Sequence, residues 1–247
     1  MIPFWVVWPL SLIGAVAIQP YQVQITRPSR AKLRSRSSSD RFYVVVGLSQ
    51  MVLVLTVADI LGVASSSRVG LDWIAVGLTS APVLFAVLGS VATGAVLGFF
   101  LPVLDDAMFH DLSAKLSSVP PFSGLQALGA TLYGGFSEEC LMRLFVMSGL
   151  VYLASLSSLA RPADYLIGVA GSSLVFGAGH LPLAVQLLGR SARVYERTLL
   201  LNGIAGVVFG ATFWQLGFAF AVISHLTADL VLHLRGRRPQ KRTDVAR

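Results

Sequence analysis

The amino-acid sequence predicts an all-α fold, a polytopic bundle of about seven transmembrane helices. Hydrophobic residues make up 55% of the chain and charged residues only 13%, whereas about 25% of the residues in a soluble domain are charged. The mean hydropathy is +0.73, and successive apolar runs approach the roughly 20 residues that cross a bilayer. These observations indicate an integral membrane protein with no room for a separate soluble domain between the runs.

Seven apolar runs are predicted to span the membrane. They cover residues 2–18, 42–64, 73–101, about 123–158, 165–188, 198–214 and 216–234. The first run is followed by basic residues and not preceded by them, which argues against a cleaved signal peptide and indicates an anchor. Small residues at helix-packing spacing in "GSVATG" and "GVVFG" predict close contact between neighbouring helices.

The fourth run is too long for one straight span, so we expect an interruption within it. "YGGFSEE" contains two adjacent glycines followed by Ser137, and serine is favoured at the N-cap of a helix. We therefore expect a helix to begin near Ser137, with Glu138 and Glu139 in its first turn, where the helix dipole favours negative charge. The segment before it would then be re-entrant or interfacial, or would form an eighth span.

The net charge of +7 is concentrated in three basic clusters. They comprise Arg27, Arg30, Lys32, Arg34, Arg36 and Arg41; Arg190, Arg193 and Arg197; and Arg235, Arg237, Arg238, Lys241, Arg242 and Arg247. An even number of predicted spans separates the clusters, so all three fall on one face, which the positive-inside rule makes cytoplasmic. We expect a cell-membrane protein with its N-terminus outside and its C-terminus in the cytoplasm. The arrangement indicates membrane lipid as a partner and argues against nucleic acid.

Ionisable residues inside the predicted spans need a reason, because an Asp, Lys or Arg at the centre of a span costs about 2.5 to 3.5 kcal/mol. Three motifs, "EECLMR", "FGAGH" and "HLTAD", contain most of these residues, which are Glu138, Glu139, Arg143, His180, His225 and Asp229. The spacing of four places Glu139 beside Arg143 on one helix face and leaves Glu138 pointing about 100° away. Each of three helices thus has one polar stripe. Contact between the three stripes would give all of these buried polar groups a partner.

Glu138, two histidines and a carboxylate form a set that is suited to hydrolysis. Glu138 would take a proton from water with the help of His180, and the resulting hydroxide would attack a peptide carbonyl. His225 would donate to the developing oxyanion. The structural alternatives are a Glu139–Arg143 bridge that only fixes helix register and histidines that only make interhelical hydrogen bonds.

The remaining polar residues are assigned structural roles. Asp59 has no second polar group nearby in the sequence and is expected to contact the bundle interior. Cys140, the only cysteine, excludes a disulfide framework and is expected to be a small buried residue. His233 lies near the basic tail and is expected at the membrane interface. "DDAMFHD", residues 105–111, lacks the spacing of a metal site and is predicted to be a solvated loop.

In sequence order the three motifs read E-E-x-x-x-R, F-x-x-x-H and H-x-x-x-D/N. They resemble the CAAX protease and bacteriocin-processing family (CPBP, Abi-type) of intramembrane endopeptidases, which includes the type II CAAX prenyl endopeptidases. The resemblance implies a catalytic core of four helices around a cavity open to the cytoplasm. The expected organisation is N-terminal transmembrane helices at 1–119 with a basic loop at 27–41, a protease core at 120–234, and a basic tail at 235–247.

The resemblance also implies roles for the motif residues. Glu138 and His180 would activate water, and His225 and Asp229 would form the oxyanion site. The prenyl endopeptidases have Asn at the position of Asp229. An ionised Asp229 would repel an oxyanion, so this side chain is expected either to be protonated or to act on His225.

The same resemblance makes Glu139 and Arg143 an orienting pair. No cofactor is expected, because the zinc-binding signature H-E-x-x-H is absent. If a divalent metal such as zinc were bound, its ligands would be Glu138, His180, His225 and Asp229.

The leading hypothesis is an intramembrane endopeptidase that acts on a membrane-associated or peptide substrate, with or without lipid modification. One alternative is a non-catalytic membrane module, such as an immunity or scaffold protein, that retains the protease fold. The other is a transporter that uses the same buried acids, which the lack of repeat symmetry disfavours. The sequence contains neither the G-x-S-G nor the G-x-G-D motif of other intramembrane proteases.

Overall fold

The computed structural model describes residues 1–24, 40–75, 80–117, 123–157 and 161–236, and these ranges contain helices but no strand. The α-helices are α1 (Phe4–Ala17), α2 (Asp40–Val69), α3 (Ser80–Ser117), α4 (Gly124–Leu132), α5 (Ser148–Ser155), α6 (Ala163–Gly179), α7 (Leu181–Leu188), α8 (Ala192–Leu216) and α9 (Phe218–Gly236). Two π-helical segments, π1 (Tyr133–Glu138) and π2 (Cys140–Met147), connect α4 to α5. The predicted all-α fold is confirmed.

Within the described ranges, six helical stretches are long and apolar enough to cross a membrane. They are Phe4–Gln24, Arg41–Val69, Ala81–Leu116, Ala163–Leu188, Ala192–Leu216 and Phe218–Arg235. Each overlaps one of the seven predicted spans, and together they make the chain an integral membrane protein. The seventh predicted span, about 123–158, corresponds to the helical path from α4 through π1 and π2 to α5.

The prediction that a helix begins at Ser137 is wrong. The helical path begins at Gly124, where Ser123 forms a capping box with Gln126, and it continues through π1 and π2 to Ser155. Ser137 therefore lies inside this path, and its hydroxyl donates a 2.7 Å hydrogen bond to the carbonyl oxygen of Ser11 in α1. The two glutamates are consequently not in a first helical turn, and no helix N-terminus accounts for their position.

The glycine pair of "YGGFSEE" admits a neighbouring helix and does not break its own. A Cβ at Gly134 would collide with Oδ2 of Asp229 in α9, and a Cβ at Gly135 would collide with the side chain of Leu226 in the same helix. The two glycines thus allow α9 to pass directly against π1. Adjacent glycines give the same local signal for a helix break and for a close helix contact, and here the contact with α9 decides between them.

Gly94 and Gly206 of the other two packing motifs have the predicted function, whereas a Cβ at Gly89 would meet no other atom within 4 Å. A Cβ at Gly94 would lie 2.8 Å from Cβ of Thr227, and a Cβ at Gly206 would lie 2.8 Å from Cα of Ser173. Such distances are shorter than atoms in contact allow, so only glycine permits α3 to approach α9 and α8 to approach α6.

The prediction of a loop at residues 105–111 is also wrong, although the side chains of Asp106, His110 and Asp111 are exposed, as predicted. These residues lie within α3, which bends at Phe109 and continues to Ser117. Asp105 accepts two hydrogen bonds of 2.7 and 2.5 Å from Arg197 of α8. Asp111 pairs with Arg193 of the same helix at 3.1 Å. Two of these acids therefore pair with residues of α8 that are more than 80 positions away in the chain.

The helix ends that adjoin the basic clusters lie together at one end of the bundle. Gln126 near the start of α4 donates a hydrogen bond to Gln24, which follows α1. Thr131 of α4 hydrogen-bonds His233 near the end of α9 at 3.1 Å. We call this the basic end; it contains the end of the first span, the start of α4 and the end of α9.

The opposite end is marked by contacts of Tyr165 near the start of α6. Its ring stacks on Trp214 near the end of α8 at 5.2 Å, and its hydroxyl donates a 2.5 Å hydrogen bond to the carbonyl oxygen of Val69 at the end of α2. Helices α2 and α8 therefore begin at the basic end, so all three basic clusters adjoin it. Residues 27–39 and 237–247 of those clusters lie outside the described residues. The orientation of this end toward the cytoplasm stays a prediction.

Asp59 of α2 links the N-terminal helices to π1. Its side chain is fully buried, and its Oδ2 accepts a 2.7 Å hydrogen bond from the hydroxyl of Ser11 in α1. The carbonyl of Ser11 in turn accepts from Ser137, the residue before Glu138. Helices α1 and α2 thus support the segment that contains both glutamates. Cys140 is buried beside them, as predicted.

Candidate active site

The structure brings the polar groups of the three motifs together at one place in the bundle. Nε2 of His180 lies 4.0 Å from Oε1 of Glu138, and Nε2 of His225 lies 3.9 Å from Oε2 of the same carboxylate. Nε2 of His225 is also 3.8 Å from Oδ1 of Asp229. These separations exceed the roughly 2.7 to 3.2 Å of a direct hydrogen bond. The four side chains form a cluster of adjacent groups that are not bonded through these atoms.

His180 lies at a break between two helices. The predicted span 165–188 is divided here, since α6 ends at Gly179 and α7 begins at Leu181. Nδ1 of His180 is 2.8 Å from the carbonyl oxygen of Phe176. Because a carbonyl oxygen only accepts, Nδ1 carries the proton, and in the neutral ring Nε2 has the lone pair. That lone pair is on the nitrogen nearest to Glu138.

Glu139 connects Arg143 to His225. Its Oε2 lies 3.4 Å from Nε of Arg143, and both side chains are fully buried. Its Oε1 lies 2.9 Å from Nδ1 of His225, which therefore donates to the carboxylate. Nη1 of Arg143 donates a 3.2 Å hydrogen bond to the hydroxyl of Ser172 on α6. The ion pair thus contacts the cluster directly through His225, a contact that spacing along one helix does not reveal.

Two phenylalanines enclose the imidazole of His225. Phe209 of α8 stacks on it with ring centroids 4.3 Å apart and an interplanar angle of 18°. Phe176 of α6 presents an edge at 5.9 Å and 86°. The ring of Phe176 also lies under the guanidinium of Arg143, at 5.4 Å. Phe209 could not be identified from the sequence, because one phenylalanine in an apolar span has no local signal of such a contact.

The cluster opens into a cavity of about 560 Å³, within the range of about 300 to 1,000 Å³ of ligand sites. Glu138, His180, His225 and Asp229 all line it. Apolar side chains line much of the rest, namely Ile18, Leu97, Leu101, Leu141, Met142, Phe176, Leu183, Phe209 and Leu232. Gly179 of "FGAGH" also lines the cavity and has no neighbour within 4 Å, whereas only Gly177 permits a close helix contact.

Gly134 is a second residue of the site that local sequence did not reveal. A Cβ at this position would lie 3.0 Å from Nε2 of His225 and would collide with Oδ2 of Asp229. The backbone of π1 therefore passes directly against the two groups that were predicted to form the oxyanion site. In the sequence, the glycine pair that includes Gly134 indicated only a helix break.

Within the described residues, no group of three or more His, Cys, Asp or Glu side chains has the arrangement of a metal-ion site. The four candidate ligands Glu138, His180, His225 and Asp229 do not form such a group as they are placed. A reaction without metal stays a prediction.

A comparison with known protein families shows which family the part of the chain around this site is similar to. Residues 120–231 match the sequence model of the family described as type II CAAX prenyl endopeptidase Rce1-like. This part of the chain belongs to that family. The matched range contains every residue of the cluster and both members of the ion pair, and it confirms the family that the three motifs predicted. No curated protein and no solved structure matches the chain significantly.

The Rce1-like match identifies the broad class of the protein. Its family is one of proteases, and the described residues contain six helices that suit a membrane. The chain is therefore a membrane protein whose residues 120–231 are similar to CAAX proteases. Residues 1–119 lie outside the matched range, yet α1 and α2 pack against π1 through Ser11 and Asp59.

Proposed function

We propose that this protein is an intramembrane endopeptidase that hydrolyses a peptide bond by means of a water molecule activated by Glu138 and His180. The observation that supports this most is the pair of acceptors 4.0 Å apart, the carboxylate of Glu138 and the lone pair on Nε2 of His180. One water molecule has two O–H groups, and hydrogen bonds of about 2.8 Å to two acceptors at this separation form an angle near 90° at its oxygen. Both groups can therefore hold the same water.

The hydrolysis would then proceed by general base catalysis. As the water oxygen bonds to the carbonyl carbon, its proton passes to Glu138, and the carbonyl becomes a tetrahedral oxyanion. Glu138 afterwards gives the proton to the departing amine as the C–N bond breaks. General acid and base catalysis of this kind contributes about 10² to 10⁴ in rate.

The oxyanion would form near His225 and Asp229. Nδ1 of His225 donates to Glu139, so Nε2 can donate to an oxyanion only in the doubly protonated ring. The positive charge of that form complements the carboxylates of Glu138, Glu139 and Asp229 around it. In this proposal Arg143 acts indirectly, by fixing the carboxylate that orients His225.

The cavity indicates the class of substrate. Its polar groups are gathered at the cluster and most of its other lining side chains are apolar, which suits an apolar peptide segment or a lipid-modified peptide end. We therefore propose a membrane-associated protein or peptide substrate, with or without a prenyl group. Cleavage would occur toward the basic end, which we propose to face the cytoplasm of a cell-membrane protein.

New protein N-termini in cell membranes test the proposal. Membranes from cells that express the wild-type protein, Glu138→Ala or His180→Ala are compared by mass spectrometry of labelled N-termini. Glu196→Ala is the matched control, because Glu196 is the only glutamate outside the adjacent pair Glu138 and Glu139 and is exposed on α8. We expect termini that appear with wild type and Glu196→Ala and are absent from both cluster variants.

Two further arms of the experiment separate the alternatives. Termini that persist in Glu138→Ala would overturn the proposed role of this glutamate. A biological effect that is retained by Glu138→Ala without any new termini would favour a non-catalytic membrane module. Incubation of isolated wild-type membranes with a metal chelator should leave the cleavage unchanged, and loss of cleavage would show that a metal is required.

A further inference from the structure

We infer that Tyr133 is a further catalytic residue, whose hydroxyl donates a hydrogen bond to the carbonyl oxygen of the scissile bond; this inference rests on the proposed function. Tyr133 is the first residue of π1 and Glu138 is the last. A π-helix joins residues five apart by backbone hydrogen bonds, so these two lie one turn apart on one face. Both side chains line the cavity.

The hydroxyl of Tyr133 is available to a substrate. In the part of the chain that the structure describes, it has no hydrogen-bonding partner, and it is not sealed from the cavity. Other polar groups of the cavity wall are engaged: the amide nitrogen of Asn202 donates to the carbonyl of Thr198 at 2.8 Å, and His233 bonds Thr131 at 3.1 Å. Tyr21 and Gln22 also have interactions within the protein.

The backbone places Tyr133 beside the proposed oxyanion site. The next residue, Gly134, is the one at which a Cβ would lie 3.0 Å from Nε2 of His225 and would collide with Asp229. On its other side the Cα of Tyr133 packs against Gly14 of α1, where a Cβ would lie 3.1 Å away. Tyr133 is therefore held between α1 and the cluster, with its side chain in the cavity.

The chemistry of the cluster calls for such a donor. A carboxylate such as Asp229 only accepts hydrogen bonds when it is ionised, and His225 donates from Nε2 only when its ring is doubly protonated. A phenol keeps its proton at neutral pH and donates without a change of protonation state. Tyr133 thus provides the oxyanion donor that the two other residues provide only in particular protonation states.

Turnover by purified protein in lipid nanodiscs tests this role. The probe is a quenched fluorescent peptide that ends in a farnesylated CAAX sequence. Tyr133→Phe removes only the hydroxyl, and loss of one oxyanion donor lowers kcat by about 10² to 10³; we expect a fall of that size with KM changed less than about threefold. Tyr165→Phe is the matched control, because its hydroxyl bonds Val69 at the opposite end of the bundle, and it should retain kcat.

The outcomes separate this inference from the proposed function. Wild-type kcat in Tyr133→Phe, or a change in KM alone, would overturn the role of Tyr133 and leave the proposed function intact. A wild-type protein that cleaves neither this peptide nor the same peptide without the farnesyl group would overturn both. If Tyr133→Phe unfolds, 3,5-difluorotyrosine at position 133 keeps the ring shape but ionises at lower pH, so kcat should fall at a lower pH than in the wild type. An unchanged pH profile would overturn the inference.

Discussion

Removal of Arg143 is expected to destabilise the protein by stranding a buried carboxylate. Arg143→Met leaves Glu139 without the cation that faces its Oε2 at 3.4 Å. Both side chains are fully buried, and among the described residues neither Oε2 of Glu139 nor Nε of Arg143 has a hydrogen-bonding partner. The ion pair is therefore the interaction that compensates the cost of burying these two atoms. Breaking a buried ion pair from one side costs about 3 to 5 kcal/mol.

The expected change in melting temperature follows from that free energy. In proteins of about 150 to 250 residues, 1 kcal/mol shifts the melting temperature by roughly 2 to 4 °C, so Arg143→Met should melt roughly 6 to 20 °C below the wild type and should be less abundant in membranes. The lost hydrogen bond to Ser172 and the lost cation–π contact with Phe176 act in the same direction. The double variant Glu139→Gln/Arg143→Met has no stranded charge and should regain most of the loss.

Thermal unfolding of the detergent-purified proteins measures these effects as a double-mutant cycle. Arg193→Met is the control, because Arg193 and Asp111 form an exposed pair whose side chains are 53% and 57% accessible. Exposed pairs contribute about 0 to 1 kcal/mol, so this variant should melt within a few degrees of the wild type. An Arg143→Met protein that melts like the wild type would refute the argument, as would a double variant that melts no higher than Arg143→Met.

Two other substitutions test the geometry of the cluster. Gly134→Ala should lower turnover of the farnesylated peptide by about 10²-fold or more, because the added methyl group would collide with Asp229 and a misplacement near 1 Å costs about that much in rate. Gly203→Ala is the control and should retain wild-type turnover, because there is open space around Gly203. Equal rates in the two variants would contradict the contact between Gly134 and Asp229. Phe209→Leu removes the ring stacked on His225, an interaction of about 0.5 to 1.5 kcal/mol, and should lower kcat by up to about tenfold, whereas an unchanged kcat would show that the stack does not orient the imidazole.

The elements that were predictable from sequence depend on neighbours along the chain. Hydropathy within a window locates a span, so the six membrane-length helices overlap predicted runs. A spacing of four places Glu139 beside Arg143 and Phe176 beside His180. The need to satisfy several buried ionisable groups also led to the expectation that the polar stripes meet, and the structure brings them into one cluster.

The features that were not predictable depend on partners far away in the chain. The glycine pair before Ser137 indicated a helix break, but in the structure these glycines allow α9 to pack directly against π1. The polar residues at 105–111 predicted a loop, but in the structure they lie in a helix and two of their acids pair with Arg193 and Arg197 of α8. In the same way, the contact between Glu139 and His225 joins residues 86 positions apart, and no local pattern identifies it.

Glu138 is proposed to be the base that activates water, and an isosteric substitution of this residue removes the base without changing the shape of the side chain. Glu138→Gln keeps the shape of the side chain but removes its capacity to take a proton from water. On the farnesylated peptide in nanodiscs, we predict a fall in kcat of about 10² to 10⁴ with the melting temperature of the wild type. A Glu138→Gln protein that cleaves the peptide at the wild-type rate would contradict the account.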